Sequence, residues 1–311
     1  MKSLILASHV RQKIDRRVDR LLDDIGRPEP PLRIEVVRDW LKIDLGYFQR
    51  EEAGLLARAV HKIRVGVMQS FARPMFIREA IQKFKLRALC APDLKRILID
   101  EEVPKLKHRW LEAHETIHQL LLWHHPVLLG DNEITPTASC RAKIETEANY
   151  GAGQLIFLRD RFVEEARSSP LGFRTLQKYA KSFGNTQTCT LWRAVELLGS
   201  EQPLLGVISD HPHIRRRPDD FDGANPCRHF IQSEAFAARF GQASEHEIFD
   251  CIVSYCGSQR GGPLGESEIV LADDNGDEHV FAFETFFNGH EALTFARHLG
   301  KRAVTVPVIA I

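Results

Sequence analysis

The sequence lacks any close cysteine pair. Cys90, Cys140, Cys189, Cys227, Cys251 and Cys256 are scattered without a Cys-x-x-Cys spacing, which argues against a disulfide framework and against a thiolate zinc site. A reducing, cytoplasmic setting is the expectation. Charge of one sign is also lacking, since 42 Lys and Arg balance 42 Asp and Glu. No global field therefore points to nucleic acid, an anionic membrane or a strongly charged substrate. No window approaches the roughly 18 consecutive apolar residues of a membrane helix. The brief apolar stretch Leu4 to Ala7 is too short for the core of a signal peptide, so neither a membrane partner nor an export signal is expected. Methionine is scarce, at Met1, Met68 and Met75. Internal repeats and low-complexity segments are absent.

What remains is a chain of 311 residues, long enough for two or three domains with substantial cores. Apolar positions at Val10, Ile14, Val18, Leu21 and Leu22 predict a helix ending at Gly26. Amphipathic stretches follow at 32–41 and 51–63. Leu94 to Asp100 has the β-branched centre and length of a strand. From Lys105 to His124 the spacing of Leu106, Trp110, Ala113, Ile117, Leu120 and Leu121 is helical, and Pro126 supplies a stop. A helix is expected over 142–161, and a helix-turn-helix-like pair over 171–199. Beyond residue 200 the character becomes mixed. Strands are expected at 204–210 and in a hairpin turning at Asp274, Asn275 and Gly276, then a helix from His290 to Leu299 and a strand from Val304 to Ile311. The fold class is thus α+β, in three parts: 1–165, a helical pair over 166–200, and a C-terminal α/β domain over 201–311.

The chemistry-bearing pattern is His114-Glu115-Thr116-Ile117-His118, inside the helix predicted for 105–124. Positions i and i+4 lie about 40° apart around a helix, so both imidazoles can reach one ion. Glu115, turned about 100° from the first ligand, is placed as a general base that accepts a proton from the water a metal acidifies. Zn2+ is the metal this ligand type favours, although iron or manganese also accept such a set. The implied activity is metal-assisted hydrolysis of an amide. A catalytic site needs a third protein ligand, and two residues compete for the role. His124 stands where a metzincin has its third histidine, but Leu121 replaces the glycine that lets the backbone turn there, and every methionine precedes the motif. If the helix continued, His124 would point about 240° away from His118. Glu145, with Asn149 one turn later, matches the gluzincin plan of two histidines and a glutamate. Glu147 points about 200° from Glu145, so only one of the two faces the metal.

From Arg109 to Glu196 the chain resembles the ImmA/IrrE family of metallo-endopeptidases. The resemblance rests on Arg109 followed by Glu112-Ala113-His114-Glu115-x-x-His118, on Glu145-x-x-Ala148-Asn149 and on the later helix pair; Leu21 to Leu45 is similar to the family's N-terminal segment. It implies a mostly helical, gluzincin-like zinc peptidase domain with a small sheet, metal ligands His114, His118 and Glu145, and Glu115 as base. It also implies a protein substrate, a helix-turn-helix transcriptional repressor, cleaved in stress response or mobile-element regulation, and a GAF-like sensory domain after the peptidase part. One departure is Tyr150-Gly151-Ala152-Gly153, where the family carries phenylalanine and alanine. Two glycines in a helix cost about 1 kcal/mol each relative to alanine, which signals either a weaker helix or close packing.

Other features carry less. Arg109, His124, His125 and Tyr150 are near enough in sequence to be considered as oxyanion stabilisers, and each has an ordinary structural reading. The helix pair invites DNA contact, which is not favoured because Arg193 is the one base-reaching cation of its second helix and Glu196 accompanies it. The cluster His211 to Arg217 reads as a solvated loop, since Asp219, Asp220 and Asp222 follow at once. Leu94 to Asp100 is expected to be an edge strand that receives an extended peptide. The alternative from another class is a zinc-containing regulatory protein that works by binding protein or DNA.

Overall fold

The computed structural model describes residues 5–48, 88–92, 95–129 and 138–302. The stretches expected to be helical at 51–63 and extended at 304–311 lie outside these residues. Two compact units divide the chain, one spanning Leu6–Arg159 and the other beginning at Asp160. That division precedes the boundaries expected at 165 and 200, and the helix pair at 171–199 belongs to the second unit instead of forming a segment of its own.

The first unit opens with α1 (Ser8–Asp24), whose Ile14, Val18, Leu21 and Leu22 are buried on one face as their spacing requires. Helix α2 (Ile34–Leu41) leads into β1 (Asp44–Phe48), which the sequence reading did not anticipate. Strands β2 (Ala88–Ala91) and β3 (Arg96–Asp100) complete a sheet in the order β1-β3-β2, parallel between β1 and β3 and antiparallel between β2 and β3. The strand predicted at 94–100 is therefore the central one. Ile97 and Ile99 are fully buried in it, and the expectation that it offers a free edge is withdrawn.

Helix α3 (Lys105–Leu120) carries the histidine motif; a 3-10 turn (Leu122–His124) and the short α4 (His125–Leu129) follow. Helix α5 (Ala138–Ile156) packs along α3, and the helix predicted for 142–161 ends early because Leu158 and Arg159 adopt left-handed backbone angles. Asp15 of α1 accepts hydrogen bonds from Tyr150 Oη and Gln154 Nε2, each at 3.0 Å, tying α1 to α5. Helix α5 approaches α3 closely at Gly151: a β-carbon there would stand 2.7 Å from Ile117 Cγ2. Close packing, not a weak helix, accounts for this glycine.

The second unit begins with α6 (Asp160–Arg167), whose Phe162 ring packs edge-on against Tyr179 and Phe183. The predicted pair is present as α7 (Phe173–Ser182) and α8 (Gln187–Leu198), the latter capped by the Thr186 side chain. Next come β4 (Leu204–Ser209), β5 (Cys227–Gln232), α9 (Glu234–Arg239), α10 (Glu245–Tyr255), β6 (Gly262–Ala272), β7 (Glu278–Phe287) and β8 (Ala292–Lys301). All strand pairs are antiparallel, in the order β5-β4-β8-β7-β6. The core on one face joins Leu205 and Val207 of β4 to Phe236, Phe240, Ile248, Phe249 and Ile252. On the other, Val195 of α8 lies so close to Gly206 that an added β-carbon would meet its Cγ2 at 3.1 Å. The hairpin turns as expected, with Asp273 Oδ1 accepting from the Asn275 and Asp277 amides at 3.0 Å and Gly276 at φ 85°.

Where a helix was expected over 290–299, Ala292–Lys301 form β8. Central in the sheet between β4 and β7, this strand is buried on both faces through Ala292–Ala296. Such a strand loses the polar–apolar alternation by which strands are recognised, and its alanine and leucine imitate a helix.

Candidate metal centre

Three sequence-predicted residues meet at one point of the first unit. His114 Nε2 and His118 Nε2 lie 3.1 Å apart, and Glu145 reaches them with Oε2 at 3.1 Å from His114 and Oε1 at 3.6 Å from His118. One ligating atom from each of the three falls within 4.8 Å of the others, the set a single cation would require. The histidines are buried, at 8% and 2% exposure, while the Glu145 side chain is 51% exposed. The site thus has an imidazole floor and an open carboxylate rim.

Each histidine is also fixed from behind. Asn149, one turn along α5 from Glu145, places Oδ1 3.0 Å from His114 Nδ1. His118 Nδ1 meets His124 Nδ1 at 2.9 Å. This second contact departs from the expected continuous helix, because α3 stops at Leu120. Leu121 takes an ordinary φ of −91° with ψ 87°, and the 3-10 turn brings His124 back over His118. No glycine is needed for the turn. His124 is no metal ligand in this arrangement, since it faces the side of the His118 ring opposite Nε2. Its own Nε2 lies 3.2 Å from Glu147 Oε2, which also accepts from Trp123 Nε1 at 2.8 Å. Glu145 and Glu147 consequently face opposite ways, as their spacing on one helix dictates.

The charges follow from burial. Desolvation pushes the Glu115 carboxyl above its usual value, against the opposing pull of His114, His118 and the Cys90 backbone N–H. For Glu145 burial acts in the same direction, but hydrogen bonds from His114 and His118 outweigh it and hold the carboxyl far below the carboxylate range. Burial disfavours the His114 imidazolium, yet Glu145 and Glu115 more than compensate and raise its pKa. Burial, then the neighbouring His118, brings His124 down to about 4. An ion held by these three side chains would take its electrons from two imidazoles and one carboxylate already anionic at neutral pH, a donor set suited to zinc.

The Cys90 amide belongs to β2, the strand of the small sheet nearest the motif. Among the described residues β2 is an outer strand of the small sheet, and the Cys90 N–H is directed at Glu115, so this side of β2 faces the site. Sequence reasoning missed this four-residue strand, and its Ala-Leu-Cys-Ala run offers no turn or alternation signal.

The residues weighed as oxyanion stabilisers are engaged elsewhere. Arg109 donates to the Leu32 carbonyl at 3.0 Å, His125 Nε2 lies 3.0 Å from the Gln119 carbonyl, and Tyr150 bonds Asp15. Behind α3, Arg38 of α2 pairs with Glu112 at 2.9 Å with both side chains largely buried. In the second unit every residue of α8 is buried or half-buried, and Arg193 is paired with Glu196 at 3.0 Å. The helix for which DNA contact was considered and not favoured is packed against its own sheet.

No family model matches the chain, and no curated protein is similar in sequence. Among solved structures, a Mycobacterium tuberculosis transcriptional regulator is similar with a TM-score of 0.51 and 12% identity, covering 97% of this chain and 98% of that one. At that identity the likeness concerns the α+β fold alone. No helix among the described residues is long and apolar enough to cross a membrane.

Proposed function

We propose that the chain is a zinc-dependent endopeptidase of ImmA/IrrE type, with His114, His118 and Glu145 holding the metal and Glu115 acting as general base. The carrying observation is the convergence of those three ligating side chains beside a buried Glu115. Zinc in such a site supplies an acidified water and polarises a carbonyl. The protein's own part is to orient and to move protons. Desolvation raises the basicity of Glu115, and the Cys90 amide holds its carboxylate. Glu145 remains anionic, so a single carboxylate on the exposed rim completes the ligand set.

The substrate class proposed is a protein, a helix-turn-helix repressor, and the setting is transcriptional control in stress response or mobile-element regulation. The similar solved protein is a transcriptional regulator, which is compatible with that setting. The five-stranded antiparallel sheet of the second unit, with helices against it, has the mixed character a GAF-like sensory domain requires. A regulatory protein that binds without cleaving is the alternative. Glu115 weighs against it, because a structural zinc needs no base, and the burial of α8 weighs against DNA reading by that helix. The test is digestion of a proteome-derived peptide library by zinc-loaded protein, read by mass spectrometry, beside Glu115→Gln. Cleavages present with the wild type and absent with Glu115→Gln support the peptidase; products unchanged by that substitution, or none at all from either protein, favour the binding alternative.

A further inference from the structure

The sequence offered His124 as a rival third ligand, and the structure gives it a different position that the metal reading leaves unexplained. It is fully buried between His118 and Glu147, and Glu147 is buried with it at 3% exposure. A buried carboxylate and a buried imidazole are costly unless every polar atom finds a partner, so this arrangement must satisfy a specific pattern of donors and acceptors.

The pattern has one consistent solution. His118 Nε2 faces His114 and Glu145, so it must keep a lone pair there to ligate, and the ring proton resides on Nδ1. That N–H can only donate to His124 Nδ1, 2.9 Å away, which requires His124 to carry its own proton on Nε2. His124 Nε2–H then meets Glu147 Oε2 at 3.2 Å, and Trp123 Nε1–H donates to the same oxygen at 2.8 Å. All donors and acceptors match, in one direction, from ligand to carboxylate. Resting on the proposed metal site, we infer that His124 and Glu147 are positioning residues that lock the His118 tautomer and ring orientation through a histidine–histidine–carboxylate chain. Metal-binding imidazoles are commonly held by a carboxylate or carbonyl directly. Here a second histidine spans the gap, which explains why α3 terminates at Leu120 and the chain doubles back through a 3-10 turn.

The test is zinc affinity by chelator competition on the full chain, with histidine 15N NMR of the zinc-loaded protein. Wild type should bind one zinc with His118 protonated at Nδ1. His124→Phe and Glu147→Ala should each weaken zinc by roughly 10–100-fold, the range for lost partners of a ligand. His124→Gln, whose amide both accepts and donates, should recover much of that loss, and His125→Ala, outside the chain, should bind as wild type does. Stoichiometric zinc on wild type with unchanged affinity in His124→Phe and Glu147→Ala overturns the inference while sparing the metal site. Wild type without zinc removes the metal reading and this inference with it. The tautomer is read on wild type alone, so a proton found on His118 Nε2 refutes the arrangement even where His124→Phe fails to fold.

Discussion

Replacing Gly151 by alanine probes how α5 brings Glu145 to the histidines. The new β-carbon would stand 2.7 Å from Ile117 Cγ2 and 3.2 Å from its Cγ1 and Cδ1, whereas carbon atoms rest at about 3.5–4.0 Å, so one helix must retreat by roughly 1 Å. Ile117 cannot easily yield, because it is fully buried and a β-branched side chain in a helix has essentially one rotamer. Overpacking of this kind costs about 1–3 kcal/mol, and alanine in place of a helical glycine returns about 1 kcal/mol. The net expectation is a loss of about 1 kcal/mol, or roughly 2–4 °C in Tm. The metal site should suffer more than the fold. Ligand distances tolerate about 0.2 Å, and Glu145 lies six residues along the same helix, about 9 Å away. Calorimetry of the metal-free protein and chelator competition on the loaded one would report both effects, with zinc affinity reduced at least tenfold. A Gly151→Ala protein that melts higher and binds zinc as tightly as the wild type would refute the reasoning.

Glu145→Gln should keep the fold and lose most zinc affinity, since the amide retains the shape of the rim and removes its charge; equilibrium dialysis measures this. Zinc affinity should rise with pH up to the elevated pKa of His114, above the ordinary histidine value of about 6.5, because the metal must displace that proton. In the metal-free protein the sign reverses for His114: its contribution to stability is complete below about pH 6.5 and fades as pH rises through the elevated value. Thermal melts with and without zinc across that interval should therefore diverge as pH increases. Arg38→Ala should cost on the order of 3 kcal/mol by leaving Glu112 buried without its partner. Burial already raises the Glu112 pKa, so protonation relieves the unpaired charge and the penalty measured by denaturant unfolding should shrink as pH falls.

The site was legible because its signals are local. An i, i+4 histidine pair and a glutamate–asparagine pair on the next helix fix side-chain directions by helical geometry alone, and the structure brings those residues together. His124 was set aside as a ligand from the sequence, but its contact with His118 was not legible there, because its place depends on where α3 stops and Leu121 carries no stop signal. The elements that escaped are those defined by distant partners. β2 is four residues long and exists only by pairing with β3. β3 has the look of any apolar strand, and only the neighbours on either side make it central. β8 looked helical because burial on both faces erased its alternation. Gly151 showed the reverse: a residue unfavourable for its helix pointed to close packing, and Ile117 proved to be the partner.

The central claim is that His114, His118 and Glu145 form one metal site, and elemental analysis of purified wild type, His118→Ala and Glu145→Ala tests it most directly. One zinc per wild-type chain, sharply diminished in both variants, is the predicted result. Wild-type protein without metal, or metal retained in full by both variants, would contradict the account.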